Sequence, residues 1–67
     1  MGRKKEPEAL YDVFADGWHV GEHATLQQAR SDARQLTVRQ FYTARVRIKK
    51  TGELGAEFYC GEEEPIS

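Results

Sequence analysis

The hydrophobic pattern of this chain changes period along its length. It alternates from Leu10 to His23, recurs every three or four residues from Leu26 to Leu36, and alternates again from Phe41 to Cys60. A period of two marks a half-buried strand, and a period near 3.6 marks a helix. The switches therefore predict a hairpin, a helix and a second hairpin.

The helix organises the rest. Thr25 with Gln28 three residues later forms a capping box. In that motif the hydroxyl accepts from a backbone N–H of the first turn and the amide side chain reaches back. Leu26, Ala29, Ala33 and Leu36 then lie on one face, and Gln27, Gln28, Arg30, Ser31, Asp32, Arg34 and Gln35 fill the remainder. The stripe is narrow and small in its middle, which suits a helix lying close against a sheet. A helix this short is marginal alone in water, so tertiary packing must hold it. Thr37-Val38-Arg39-Gln40 brings neither Gly nor Pro, and the end of the helix stays open by several residues.

The first hairpin runs from Leu10 to Asp16 and from Trp18 to His23. It turns at Asp16-Gly17, a pair suited to a type I′ turn because both residues tolerate positive φ. In its first strand the candidate inner faces are Leu10/Asp12/Phe14 and Tyr11/Val13/Ala15. The second is preferred, because the first would bury Asp12. In its second strand Trp18 and Val20 share one side, and His19, Gly21 and His23 the other. The second hairpin alternates more clearly. Tyr42, Ala44, Val46 and Ile48 lie on one face, with Phe41, Thr43, Arg45, Arg47 and Lys49 on the other. It turns at Lys50-Thr51-Gly52-Glu53. Leu54 to Cys60 returns with Ala56, Phe58 and Cys60 inward and Glu57 and Tyr59 outward.

Residues 1–8 read as a disordered charged arm, 9–61 as a single domain, and 62–67 as an acidic tail. The fold class is α+β: a four-stranded, mainly antiparallel sheet with one helix on one face, in the order β-β-α-β-β. A right-handed crossover through the helix would link the second and third strands. The third strand is the longest, which places it inside the sheet and gives a strand order of 2-1-3-4.

Three pieces of this chain together resemble small bacterial β-β-α-β-β domains of unknown function. They are Asp16-Gly17-Trp18-His19-Val20, then Thr25 with Ala29-Arg30 and Ala33-Arg34, and then Thr51-Gly52-Glu53-Leu54. The resemblance implies the fold and carries no activity.

Composition narrows the function. With 67 residues the chain is expected to be one domain or part of an assembly, and a domain of this size buries only about 60% of the surface its unfolded chain exposes. Ten basic and eleven acidic residues leave a net charge of −1, so no global field draws in nucleic acid or an anionic membrane. The single cysteine, Cys60, excludes an intramolecular disulfide. With no apolar leader segment visible, the expected location is the cytoplasm. No apolar run approaches the roughly 18 residues of a membrane span.

Catalysis is not expected. Cys60, Ser31, His19 and His23 are the candidate nucleophiles and bases, but Cys60 is expected to face inward as a small hydrophobe. His19 and His23 would stand about 13 Å apart on one strand face. No paired Cys or carboxylate completes a metal set, and no glycine-rich phosphate loop is present, so no cofactor or metal is expected. The outer sheet face is more informative. Arg45, Arg47 and Lys49 line one strand, with Phe41 at its start and Tyr59 on its neighbour; Arg30 and Arg34 form a second strip on the helix. An ordinary solvated face with cross-strand Arg–Glu pairs would have the same sequence. If the face binds, the expected partner is protein, a second copy included, since Arg with aromatics suits an interface. The alternative is single-stranded nucleic acid, with rings on bases and cations on phosphates.

Overall fold

The computed structural model describes residues 9–65. Among them are β1 (Tyr11–Ala15), β2 (Trp18–His23), α1 (Leu26–Arg39), β3 (Thr43–Ile48), β4 (Leu54–Tyr59) and β5 (Glu62–Glu64). The strands form one antiparallel sheet in the order β2-β1-β3-β4-β5. The expected order 2-1-3-4 holds, with a fifth strand added at the β4 edge. The proposed 1–8 arm lies outside the described residues, as do the last two residues of the tail.

The fifth strand corrects the reading of 62–67 as an unpartnered tail. Three glutamates have low strand propensity, and nothing local recommends them as a strand. Tertiary contacts hold them. Cys60 (φ 51) and Gly61 (φ 85) turn the chain back. The Gly61 N–H donates to the Thr37 hydroxyl at 2.9 Å, and Arg34 Nε donates to the Gly61 carbonyl at 3.2 Å. Arg30 then pairs with Glu63. Glycine is favoured at position 61 by its positive φ, and a side chain there would also have to displace Val38 Cγ2, 2.8 Å from where its Cβ would stand.

Helix α1 starts as read. Thr25 is extended, and its hydroxyl accepts from Gln28 N–H at 3.1 Å. It ends three residues past Leu36, at Arg39, where the N–H groups of Gln40 and Phe41 both reach the Leu36 carbonyl at 2.9 Å. Thr37 continues the inner stripe, buried at 6% exposure, because its hydroxyl finds partners on both sides: it donates to the Arg34 carbonyl and accepts from Gly61.

The core lies between α1 and one sheet face. It comprises Val13, Ala15, Ala29, Ala33, Ala44, Val46, Ala56 and Phe58, with Tyr11, Leu36 and Phe41 packed against it. Five of those eight buried residues are alanines, which lets the helix sit close to the sheet, and Phe58 is the one aromatic among the eight. The preferred inner face of β1, Tyr11/Val13/Ala15, is the buried one.

Two bulges reset the alternation. In β2, Val13 pairs with Gly21 but Phe14 pairs with His19, leaving Val20 as the extra residue. In β4, Val46 pairs with Ala56 and Arg47 with Leu54, leaving Gly55 extra. A bulge sets two residues opposite one and so shifts every later side chain to the other face. That is why His19 and His23 do not share a face, contrary to the strict alternation. It also puts Gly21 and His23 toward the helix, where His23 Nε2 meets Asp32 at 2.9 Å.

Candidate binding surface on the open sheet face

Directly opposed residues of an antiparallel pair point to the same side, so the register gives the uncovered face row by row. One row crosses the whole sheet: His19, Phe14, Arg45, Glu57 and Glu64. Beside it run Glu22, Asp12, Arg47 and Leu54 on one flank, and Thr43, Tyr59 and Glu62 on the other.

The expected site residues separate on this map. Arg45, Arg47 and Tyr59 do share the face, and Lys49 reaches it from just beyond β3. Phe41 does not. It belongs to the connection between α1 and β3, where strand alternation has not yet begun, and it packs against the core instead. Tyr42, expected inside, is 71% exposed for the same reason. Cys60 is also displaced: β4 ends at Tyr59, and Cys60 stands exposed in the β4–β5 turn rather than inward.

Most of the cations have partners. Arg45 Nε donates to Glu57 at 2.9 Å. Lys49 Nζ lies 3.1 Å from Glu22 and 3.7 Å from Asp12. The hydrogen bond to Glu22, with Asp12 nearby, raises the Lys49 pKa above its ordinary 10.5. Arg47 differs. Its Nη1 donates to the Gly52 carbonyl at 3.1 Å, and among the described residues it has no carboxylate within ion-pair distance. On the helix, the Arg30 and Arg34 strip is engaged by β5. These side chains border a groove of ≈ 670 Å³ between α1 and β5, floored by Phe58.

A smaller depression of ≈ 200 Å³ opens on the sheet face. Phe14, Asp16, Gly17, Thr43, Arg45 and Arg47 line it. Asp16 shares this lining but forms no ion pair with either arginine. Its carboxylate accepts from Thr43 N–H at 3.0 Å, from the Thr43 hydroxyl at 3.2 Å and from Tyr42 N–H at 3.4 Å, which fastens the first hairpin turn to the start of β3. Phe14 is fixed by an edge contact with His19, ring centres 5.2 Å apart. The depression thus combines an aromatic wall, the Asp16 carboxylate and two guanidinium groups, whose planar forks retain free N–H donors.

The alternation of the sequence did not expose one further cluster. Asp12, His19 and Glu22 bring three donor atoms within 4.8 Å of one another. Only the Val20 bulge makes this possible, because it puts His19 and Glu22 on one face. The Lys49 ammonium already answers both carboxylates and opposes a second cation among them. Comparison with known proteins finds no matching family model, no similar curated protein and no similar solved structure.

Proposed function

We propose that the chain is a small non-enzymatic binding module that holds a protein partner on its open sheet face. The observation that carries this reading is the depression between Phe14, Thr43, Arg45 and Arg47, in which the Arg47 charge has no carboxylate among the described residues. Tyr59, half exposed on the same face, is a second aromatic contact beside it. An arginine pair next to a fixed ring suits a carboxylate-bearing segment of another protein, and such residues supply most interface energy.

The charge around the depression favours protein over single-stranded nucleic acid. Asp12, Glu22, Glu57, Glu62 and Glu64 share the face with Arg45, Arg47 and Lys49. A polyphosphate backbone meets that surplus of acids along its whole path, whereas a single protein carboxylate needs only Arg47, with Asp16 and the Glu57 bound to Arg45 as its near acids.

Capture from a native cell extract, with and without nuclease, tests the reading against the variant Arg45→Ala/Arg47→Ala. A protein retained by the parent after nuclease and lost by the double variant supports it, provided the two melt alike, since exposed pairs contribute at most about 1 kcal/mol. Tyr59→Ala weakens the same capture. Retention that vanishes with nuclease and falls steeply with salt transfers the face to nucleic acid. A partner held equally well by the double variant removes the face from the account.

A further inference from the structure

We propose that the chain forms a two-fold dimer by pairing its edge strand β2 with β2 of a second copy. The two edges of the sheet are built differently. The β5 edge is three residues long, all glutamate, with Pro65 next. Short, like-charged, proline-flanked edges repel another strand. The β2 edge is six residues long and contains neither Lys nor Pro. Trp18 is 72% exposed on it, and Val20 38%. It is the edge open to strand addition.

The bulge makes β2 fit itself. Trp18, Gly21 and His23 stand opposite Ala15, Val13 and Tyr11, all on the helix side; His19 and Glu22 stand opposite Phe14 and Asp12, on the open side. Val20 shares the station of Val13 with Gly21, because a bulge sets two residues against one. The order of faces along the strand is therefore the same read from either end. An antiparallel self-pairing about an axis normal to the sheet needs this, since opposed residues must share a face.

One register satisfies every position: Trp18 opposite His23, His19 opposite Glu22, and Val20 opposite Gly21 of the second copy. A slip of one or two residues in either direction sets open-side residues against helix-side ones. The same register matches chemistry as well as face. An imidazole meets a carboxylate twice by symmetry, the valine fills the space left by the glycine, and the exposed indole covers the partner's half-buried imidazole. The product is one continuous sheet with both helices on one side. Both open faces then point the same way, so dimerisation leaves the Phe14/Arg45/Arg47 depressions free and neither depends on nor excludes the binding reading above.

Sedimentation equilibrium of the whole chain over a concentration series tests the proposal, with a reductant present because Cys60 is exposed. The expected mass at high concentration is that of two chains. Alternate amides of Trp18–His23 gain exchange protection as concentration rises, while those of Glu62–Glu64 do not. Val20→Lys brings like charges together beside the axis and raises the dissociation constant by about tenfold or more. A single-chain mass at every concentration overturns the proposal, as does a dimer whose β2 amides exchange as they do at low concentration. Should Val20→Lys fail to fold, the parent's exchange pattern decides alone.

Discussion

Replacing Thr37 by valine tests why the chain has a fifth strand. The two side chains have the same shape, so packing against the sheet is preserved. Only the hydroxyl is removed. That hydroxyl accepts from the Gly61 N–H at 2.9 Å and donates to the Arg34 carbonyl at 2.9 Å. The Arg34 carbonyl keeps its place in the helix, but the Gly61 N–H loses its acceptor in a half-buried turn. An orphaned donor costs about 1–3 kcal/mol. For a domain of this size each kcal/mol moves the melting temperature by roughly 4–8 °C, so a loss on the order of 10 °C is expected. Thr37→Ser is the matched control. It keeps the hydroxyl and gives up one methyl, worth about 0.8 kcal/mol. The serine variant should therefore be the more stable of the two, although valine is the more apolar. Thermal and urea melts followed by circular dichroism give the global cost, and amide exchange at Glu62–Glu64 gives the local one. If the valine variant melts with the parent and β5 exchanges no faster, then Thr37 does not hold the strand.

Three further outcomes follow from the same geometry. Ala33→Asp puts an unpaired charge where the helix touches the sheet, at a position with no exposure. Its cost of about 3–5 kcal/mol is comparable to the whole stability of such a chain, roughly 3–10 kcal/mol, so circular dichroism at room temperature should show an unfolded or largely unfolded protein. Cys60 should react with a thiol reagent almost as fast in the native state as in denaturant, because it stands exposed in a turn; strong native protection would return it to the core. The raised pKa of Lys49 means that its interaction with Glu22 and Asp12 favours the native state below 10.5 and is lost as pH rises through the higher native value. On the alkaline side, the difference in melting temperature between the parent and Lys49→Met should therefore begin to shrink above pH 10.5, and a difference that is flat through the alkaline range would contradict the pairing.

Those elements whose cause is local were legible in the sequence. Asp16-Gly17 takes positive φ at both residues wherever it turns a hairpin, and it does so here. Thr25 caps a helix through a bond to the third residue along. Ala29 and Ala33 at helical spacing, and Val46 with Ala44 at strand spacing, select their buried faces without help from the rest of the chain. Together these give an α+β chain in the order β-β-α-β-β. The strand order 2-1-3-4 is an expectation from the length of the third strand, which at six residues is no longer than β2 or β4, and the buried side of β1 is an expectation from keeping Asp12 out of the core.

What only the tertiary structure decided depends on contacts far apart in sequence. Glu62–Glu64 is a strand because Thr37, Arg34 and Arg30, on the other side of the core, supply its partners. Val20 is a bulge because β1 has one residue fewer to match, and that single offset separates His19 from His23 and gathers Asp12, His19 and Glu22. Phe41 turns inward and Tyr42 outward because the chain is still leaving the helix there, and alternation begins only when β3 meets β1 at Ala44. Arg45 and Arg47 were recognisable as a pair on one face. Glu57 answers the first because the register sets it opposite Arg45, while Arg47 stands opposite Leu54 and has no such carboxylate among the described residues. A period of two reports the side to which a residue points. The pairing register, fixed by the whole sheet, decides which charges meet.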